Sequence, residues 1–435
     1  MHILVMAIIL TSTLFDFFVR NDWLPGSARY LVEVLGAVAL LVVVAIGPRS
    51  RFANIRPAYW FIFAALLLNL ICGVVANHVD SGPMFAGLRF YLRSIPLFFL
   101  PAVVAFSDHQ LKSQLKLLLV LALIQLPIAG YQRMTTLARA GITGDTTYGT
   151  LMLSSVLSIF LIGVVAVLLG LYLRKRITMK IALFLFVLLL IPTTINETKG
   201  TIFLLPVALG TVFLVGAKPG TRMKNAFFAT ALLCIFGAIF IPIYDALIVV
   251  RPYPTKIGEF FTEPGRLEAY LSKRDAQIGT TEEVGRLDSM VVPLGVIAKD
   301  PVSLVFGLGS GNASKSSLGP NFTGHYNYLL EPFLMSTFSV VVSELGLLGF
   351  FLLIGLHLLI FNDCRIVAKS SNDFRAGLAL GWAGVVLMMV ICLPYKTLIP
   401  ASALSYPFWY FSGVIAADRM RMLHAARRMS STGRR

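Results

Sequence analysis

The chain has 435 residues, of which 57% are hydrophobic and only 13% are charged, and its mean hydropathy is +0.81. A soluble domain of this size cannot bury so many apolar side chains, so the composition excludes a soluble globular protein. The net charge of +16 is of a kind found in nucleic-acid-binding proteins, and its distribution along the chain decides whether that class applies.

Apolar runs of about twenty residues recur along the whole chain, and each is long enough to cross ~30 Å of hydrocarbon. Because lipid offers the backbone no hydrogen-bond partner, these runs must be α-helices. The sequence therefore predicts an all-α polytopic membrane protein with about twelve transmembrane helices, near 2–19, 28–46, 58–76, 85–106, 113–130, 148–173, 180–195, 201–217, 225–247, 333–360, 376–394 and 399–417. The first run lacks a basic N-terminal flank, so we expect a retained helix rather than a cleaved signal peptide.

These helices divide the chain into four parts. Helices 1–9 occupy 1–247, a large and partly helical loop occupies 248–332 between helices 9 and 10, helices 10–12 occupy 333–418, and a basic tail occupies 419–435. With both termini in the cytoplasm, 21 of the 37 basic residues but only four acids fall on the cytoplasmic side. This positive-inside distribution places the large loop on the outer face and the tail near anionic lipid, and it removes the case for nucleic acid.

Two arginines lie inside the fourth apolar run. Arg89 and Arg93 are four residues apart, so both side chains lie on one face of a helix. A charge at membrane depth is costly and usually faces a cavity or a partner. The pair suits a diphosphate, whose oxygens accept several hydrogen bonds from guanidinium groups. The alternative is that both side chains extend to the outer interface and only anchor the helix.

Two more cations are candidates for binding the same group. Lys199 lies between two predicted helices, two residues after Glu197, so it either contacts a phosphate from the outer side or pairs locally with that acid. Arg286 stands at the start of a helix predicted over 284–299. On the residues alone, a surface ion pair with Asp288 is the simpler interpretation of this arginine.

The outer loop contains one histidine, His325. An imidazole accepts a proton near neutral pH, so this residue is a candidate general base on a sugar hydroxyl, although a lone histidine is more often an ordinary polar residue. The glycines within 306–312 predict either a sharp turn or an anion-binding nest of backbone amides. The sequence has no Asp-x-Asp pair, no His/Cys cluster with metal spacing and no P-loop, so it predicts neither a metal nor a cofactor.

Five short motifs follow one another late in the chain: Gly285-Arg286, Lys299-Asp-Pro301, Gly307-Leu-Gly309, His325-Tyr-Asn327 and Glu344-Leu-Gly-Leu-Leu-Gly349. In this order, with a large outer loop before the last three helices, they resemble the O-antigen ligase and Wzy-type polysaccharide polymerase superfamily. The resemblance implies a metal-independent membrane glycosyltransferase of the GT-C type in the bacterial inner membrane. Such an enzyme uses a glycan linked to undecaprenyl diphosphate at the periplasmic face.

The resemblance also implies a role for each candidate residue. His325 corresponds to the general base on the acceptor hydroxyl, and Arg286 corresponds to a diphosphate-binding arginine. Lys199 stands where the family usually has an arginine, while Arg89 and Arg93 match its basic residues in an early helix. The implied partners are an undecaprenyl-diphosphate-linked oligosaccharide, an acceptor glycan, membrane lipids and other polysaccharide-assembly proteins.

Two features separate the chain from the ligases of that family. Tyr326 directly follows the histidine, with Asn327 one position later, and the spacing from His325 to Glu344 is longer than in a ligase. Both features favour an inverting polymerase of exopolysaccharide or O-antigen repeats over a ligase that joins glycan to lipid A–core. A lipid-linked oligosaccharide flippase is the alternative from another class, because it too needs cations in a cavity, although those cations should line a path to the cytoplasm.

Overall fold

The computed structural model describes residues 1–46, 54–140, 146–151, 153–196, 198–217, 220, 222–247, 256–265, 268, 271, 285–370 and 373–432. Over these residues the protein is helical and contains no β-strand. Seven helical segments are long and apolar enough to cross a membrane, namely His2–Arg20, Gly26–Ala45, Pro57–Ala76, Asp108–Thr136, Ser154–Leu173, Thr337–Ser370 and Phe374–Cys392. The chain therefore has the helical, multi-pass character that its composition predicts.

Ten α-helices are described in the first 247 residues: α1 His2–Arg20, α2 Leu31–Ile46, α3 Pro57–Ala76, α4 Ser81–Leu92, α5 Pro96–Val103, α6 Asp108–Ala140, α7 Ser154–Leu173, α8 Met179–Ile195, α9 Thr201–Gly216 and α10 Arg222–Leu247. The predicted span at 85–106 is not continuous, because it is divided between α4 and α5. Pro96 is the first residue of α5, and a proline there cannot donate the backbone hydrogen bond that would continue the preceding helix. The division falls directly after Arg93, the C-cap of α4.

Seven α-helices are described in the remainder of the chain: α11 Ile257–Thr262, α12 Asp288–Ile297, α13 Pro301–Phe306, α14 Asn327–Leu330, α15 Thr337–Ser370, α16 Phe374–Cys392 and α17 Ser402–Thr432. The helix predicted over 284–299 is observed as α12. Much of the first part of the predicted loop, 248–284, lies outside the described residues. Gly346 interrupts α15 with a φ of 67°, a backbone angle that glycine adopts without steric cost.

The centre of the molecule is formed by α7 and α16. Seventeen of the twenty residues of α7 are buried, and α16 packs against α7, α9 and α15. Around this centre α17 packs on α1, α5 and α15, and α3 packs on α15. Helices from both ends of the sequence therefore share one apolar core, which brings distant candidate residues close together.

Residues 298–336 lie at one end of the helices, here called the loop end. At the opposite end Asp363 of α15 is fully buried. Its carboxylate accepts hydrogen bonds from Arg56 Nη1 at 2.9 Å, from Tyr59 Oη at 2.9 Å and from Arg419 Nη1. A second ion-pair network at that end joins two arginines to two aspartates: Arg375, Arg421, Asp108 and Asp418. These networks connect the ends of helices on the side predicted to be cytoplasmic.

Candidate functional site

At the loop end, Arg89 and Arg93 both bind Glu33 of α2. Arg89 donates from Nε and Nη2 to the two carboxylate oxygens at 2.6 and 2.7 Å, and Arg93 Nη1 donates to Oε1 at 2.9 Å. The three side chains are only 13–19% exposed. The two cations therefore share a counter-ion that their spacing did not predict. The three residues, called the arginine triad below, carry one net positive charge.

Other polar groups surround the arginine triad. The ring of Tyr30 lies under Arg89, with 5.1 Å between the guanidinium carbon and the ring centroid. The Tyr30 hydroxyl donates to the carbonyl of Ser317 at 3.2 Å, which ties this region to the histidine-containing loop. Asp16 of α1 interacts electrostatically with three arginines: Arg20, Arg29 and Arg93. Arg20 and Arg29 thus extend the positive region beyond the residues that the sequence singled out.

Arg93 also binds the connection between α16 and α17, residues 393–401. Arg93 Nη2 donates to the carbonyl of Pro400 at 2.7 Å. The connection is itself held by Thr337, the first residue of α15, whose hydroxyl donates to the carbonyl of Lys396 at 2.9 Å. The position of Arg93 is therefore set both by its counter-ion and by the backbone of this connection.

Tyr395 of the same connection contacts Arg286 and the glycine next to Lys199. The guanidinium carbon of Arg286 lies 5.6 Å from the centroid of the Tyr395 ring. That ring also packs on Gly200, the neighbour of Lys199, where an added Cβ would lie 2.7 Å from the ring. No ion pair joins Arg286 to Asp288, both of which are described. Arg93 and Arg286 therefore contact one nine-residue connection, Arg89 is joined to Arg93 through Glu33, and Lys199 is the chain neighbour of a glycine packed on that connection.

His325 lies just before α14, and its side chain is exposed. Its backbone amide donates to Asn312 Oδ1 at 3.1 Å. Its ring meets Tyr326 and Tyr328 edge-on, with centroids 5.2 and 6.1 Å away. Within the described parts of the chain neither ring nitrogen has a hydrogen-bond partner. The backbone of this histidine is fixed, whereas its imidazole is open to a substrate.

The glycine-rich turn at 307–311 binds a carboxylate of the protein itself. Glu344 is fully buried, and its Oε1 accepts hydrogen bonds from the amide and hydroxyl of Ser314 at 3.0 and 2.6 Å, while the Gly311 amide also donates to the carboxylate. Gly311 has a φ of 79°, and a Cβ there would overlap the carbonyl of Pro83. The nest is therefore occupied by the side-chain carboxyl group of Glu344.

Glu344 also links the histidine loop to the helix of the two arginines. Its Oε2 accepts a hydrogen bond from Tyr91, which lies in α4 between the arginines, at 2.9 Å. The carbonyl of Ser314 accepts a hydrogen bond from the amide of Gly324 at 3.2 Å, and Gly324 precedes His325. One hydrogen-bonded path thus joins α4 to the backbone of the histidine.

A small apolar cavity with a volume of about 80 Å³ lies beside Arg93 of the arginine triad. Tyr91 and Leu92 line it on one side, and Ile399 and Trp409 line it on another. Ser405 also lines the cavity, and its hydroxyl is buried with no hydrogen-bond partner among the described residues. The site thus combines cations with an adjacent apolar space, which suits an anionic group attached to a lipid chain.

Three residues of this site were missed by the sequence analysis: Glu33, Tyr30 and Tyr395. An acid within an apolar run is a reason to look for a cationic partner, yet Glu33 is 56 residues from Arg89. Nothing in the sequence around Tyr395 indicates that Arg286 lies over its ring.

No protein-family model matches this chain, and no curated protein matches it. Among the described residues, no group of three or more His, Cys, Asp or Glu side chains is placed to hold a metal ion.

Proposed function

We propose that the protein is a metal-independent glycosyltransferase that transfers a glycan from undecaprenyl diphosphate to an acceptor sugar hydroxyl. The observation that carries the proposal is that Arg93 and Arg286 both contact the connection at 393–401, while Arg89 shares Glu33 with Arg93 and the neighbour of Lys199 packs on Tyr395. The proposal includes about twelve spans in the bacterial inner membrane, both termini in the cytoplasm, and a periplasmic loop over 248–332.

The proposed reaction needs positive charge where a diphosphate leaves. The acceptor oxygen forms a bond to the anomeric carbon while the bond from that carbon to the diphosphate breaks, and the electron pair leaves with the diphosphate. Cations held in place before the reaction stabilise this developing charge without reorganisation. Arg93 and Arg286 are such cations, because the carbonyl of Pro400 holds the first and the ring of Tyr395 holds the second.

His325 supplies the other half of the proposed chemistry. Its exposed imidazole takes the proton of the acceptor hydroxyl as the new bond forms. Attack from the face opposite the diphosphate inverts the anomeric centre. The apolar cavity beside Tyr91 supports a lipid-linked donor, because a polyprenyl chain requires an apolar space next to its diphosphate.

Within this reaction class we favour a polymerase of exopolysaccharide or O-antigen repeats over a ligase acting on lipid A–core, because of Tyr326 and the spacing to Glu344. A flippase is the alternative of another class. Two observations weigh against a flippase. The candidate cations cluster at the loop end, and four described arginines of the opposite end already form ion pairs with Asp363 or Asp418: Arg56, Arg375, Arg419 and Arg421.

The test compares two exposed histidines of the loop end, His325 and His78. His325→Asn and His78→Asn proteins are purified in nanodiscs and given lipid-linked repeats. We expect the first substitution to slow glycan transfer by about a hundredfold or more, as for loss of a general base, and to leave donor binding intact. The second should leave transfer unchanged. Full transfer by His325→Asn would rule out this histidine as the base.

The glycan profile of a strain lacking the protein separates the remaining alternatives. Single repeats capping lipid A–core would indicate a polymerase, whereas unattached polymer would indicate a ligase. Lipid-linked repeats retained on the cytoplasmic face would indicate a flippase, and would contradict the proposed enzyme.

A further inference from the structure

The turn at 198–201, which leads into α9, contains two buried hydroxyl groups that lack a partner among the described residues. Thr201 is fully buried and Thr198 is 6% exposed. Within the described residues neither Oγ1 forms a hydrogen bond. Buried polar groups in folded proteins are almost always paired, so two such hydroxyls in a single turn require an explanation.

Helix capping does not explain these hydroxyls. A threonine at the start of a helix usually accepts a hydrogen bond from a backbone amide, but α9 has no side-chain cap. The amide of Thr201 donates to the carbonyl of Thr198 at 3.1 Å instead. Thr211, farther along the same helix, is equally buried, yet its hydroxyl donates to the carbonyl of Val207 at 2.6 Å. The lack of a partner therefore distinguishes Thr198 and Thr201 from the other buried threonine of α9.

Positive groups lie next to this turn. Gly200, between the two threonines, packs on the ring of Tyr395. The guanidinium group of Arg286 forms a cation–π contact with the same ring. Nη1 of Arg286 is buried and has no hydrogen-bond partner in the described part of the chain. Lys199 belongs to the turn itself, and the N-terminus of a helix attracts anions through its partial positive charge.

We propose that Thr198 and Thr201 donate hydrogen bonds to a phosphoryl group bound at the turn that leads into α9, with Arg286 facing the same group across Tyr395. The two threonines are joined by the hydrogen bond from the Thr201 amide to the Thr198 carbonyl, so they stand at the two ends of one turn. This inference rests on the proposed function, and it identifies the phosphoryl group as part of the donor's diphosphate. Hydroxyl donors and an arginine suit an anion with several acceptor oxygens.

The test removes each hydroxyl and keeps the shape of the side chain. Thr198→Val and Thr201→Val are compared with Thr211→Val, which removes a hydroxyl that already has a partner. The probes are undecaprenyl diphosphate in nanodiscs and inorganic diphosphate. We expect each of the first two variants to bind undecaprenyl diphosphate about tenfold more weakly, as for the loss of one hydrogen bond to a charged group. Thr211→Val should bind it normally.

Thermal unfolding without ligand separates binding from folding. Because Thr198→Val and Thr201→Val remove unpaired hydroxyls, they should unfold at the same temperature as the wild type or higher. Thr201→Ser keeps the donor and should keep the affinity. If the two valine variants lose affinity for inorganic diphosphate by the same factor as for undecaprenyl diphosphate, the threonines recognise the phosphoryl groups. A loss confined to the lipid form would show that the site acts on a lipid headgroup, and both results support the site.

Wild-type affinity in both valine variants would overturn the inference. The proposed function would survive that result if His325→Asn still abolished glycan transfer. A wild-type protein that binds neither diphosphate probe would instead overturn both proposals.

Discussion

Replacing Glu33 with Gln should change folding stability and diphosphate binding in opposite directions. Glu33 accepts three hydrogen bonds from Arg89 and Arg93 at 2.6–2.9 Å. Hydrogen bonds to charged groups contribute about 1.5–3 kcal/mol each. Gln keeps one oxygen that still accepts from a guanidinium, so we expect a loss of about 2–3 kcal/mol in the free energy of unfolding.

The same substitution removes the charge that competes with an incoming phosphate. Two unit charges 4 Å apart interact by about 4 kcal/mol at an effective dielectric constant of 20. Salt and water that enters with the ligand weaken this repulsion. If about a third of it is relieved, the diphosphate binds about tenfold more tightly to Glu33→Gln than to the wild type.

The assay measures the affinity for undecaprenyl diphosphate in nanodiscs alongside the thermal unfolding temperature. Glu331→Gln is the matched control, because Glu331 pairs with Lys315 at 3.3 Å on the surface, where both side chains are more than half exposed. It should change neither quantity appreciably. Weaker binding by a folded Glu33→Gln protein would refute the reasoning, since Glu33 would then be needed to orient the arginines.

Two further predictions concern stability. Asp363→Ala leaves Arg56 and Arg419 without their buried acceptor, so we expect a loss of about 3–5 kcal/mol in the free energy of unfolding, measured by denaturation in detergent, while the transfer rate per folded molecule stays unchanged. Hydrogen bonds from the amide and hydroxyl of Ser303 lower the pKa of Asp300. Its contribution to stability is therefore complete above the unfolded pKa of about 3.9 and is lost as the pH falls through the lower folded value. The protection factors of the α13 amides, which are corrected for the pH dependence of intrinsic hydrogen exchange, should fall on acidification in the wild type but not in Asp300→Asn, which keeps a capping side chain.

The helical, membrane-spanning character of the chain was predictable because it depends on composition and on the length of apolar runs. The division of 85–106 into α4 and α5 was not predicted, although Pro96 is visible in the sequence. Prolines also lie inside α6 and α8 at Pro127 and Pro192 without ending those helices. Whether a proline ends a helix therefore depends on whether neighbouring elements satisfy the backbone groups that it releases.

The site was less predictable than the fold, because its contacts join residues far apart in the sequence. The spacing of Arg89 and Arg93 correctly put both on one helix face, since that relation is local. Their pairing with Glu33 depends on how α2 packs beside α4 and α5. The stacking of Arg286 on Tyr395 likewise depends on the approach of α12 to the connection after α16. Local patterns identify candidate groups, whereas their partners are set by helix packing.

Two carboxylates at the loop end lie where an anion could bind: Glu344 in the glycine-rich turn and Glu33 between Arg89 and Arg93. Their surroundings give them different roles. Glu344 is fully buried and accepts hydrogen bonds from Tyr91, Gly311 and Ser314, so moving it would break the turn that holds the histidine loop. Glu33 keeps 16% exposure, and among the described residues it is bound only by side chains in the arginine triad. A phosphate can replace its oxygens without breaking a backbone hydrogen bond. Glu344 therefore shapes the site, and Glu33 is the carboxylate that a substrate would displace.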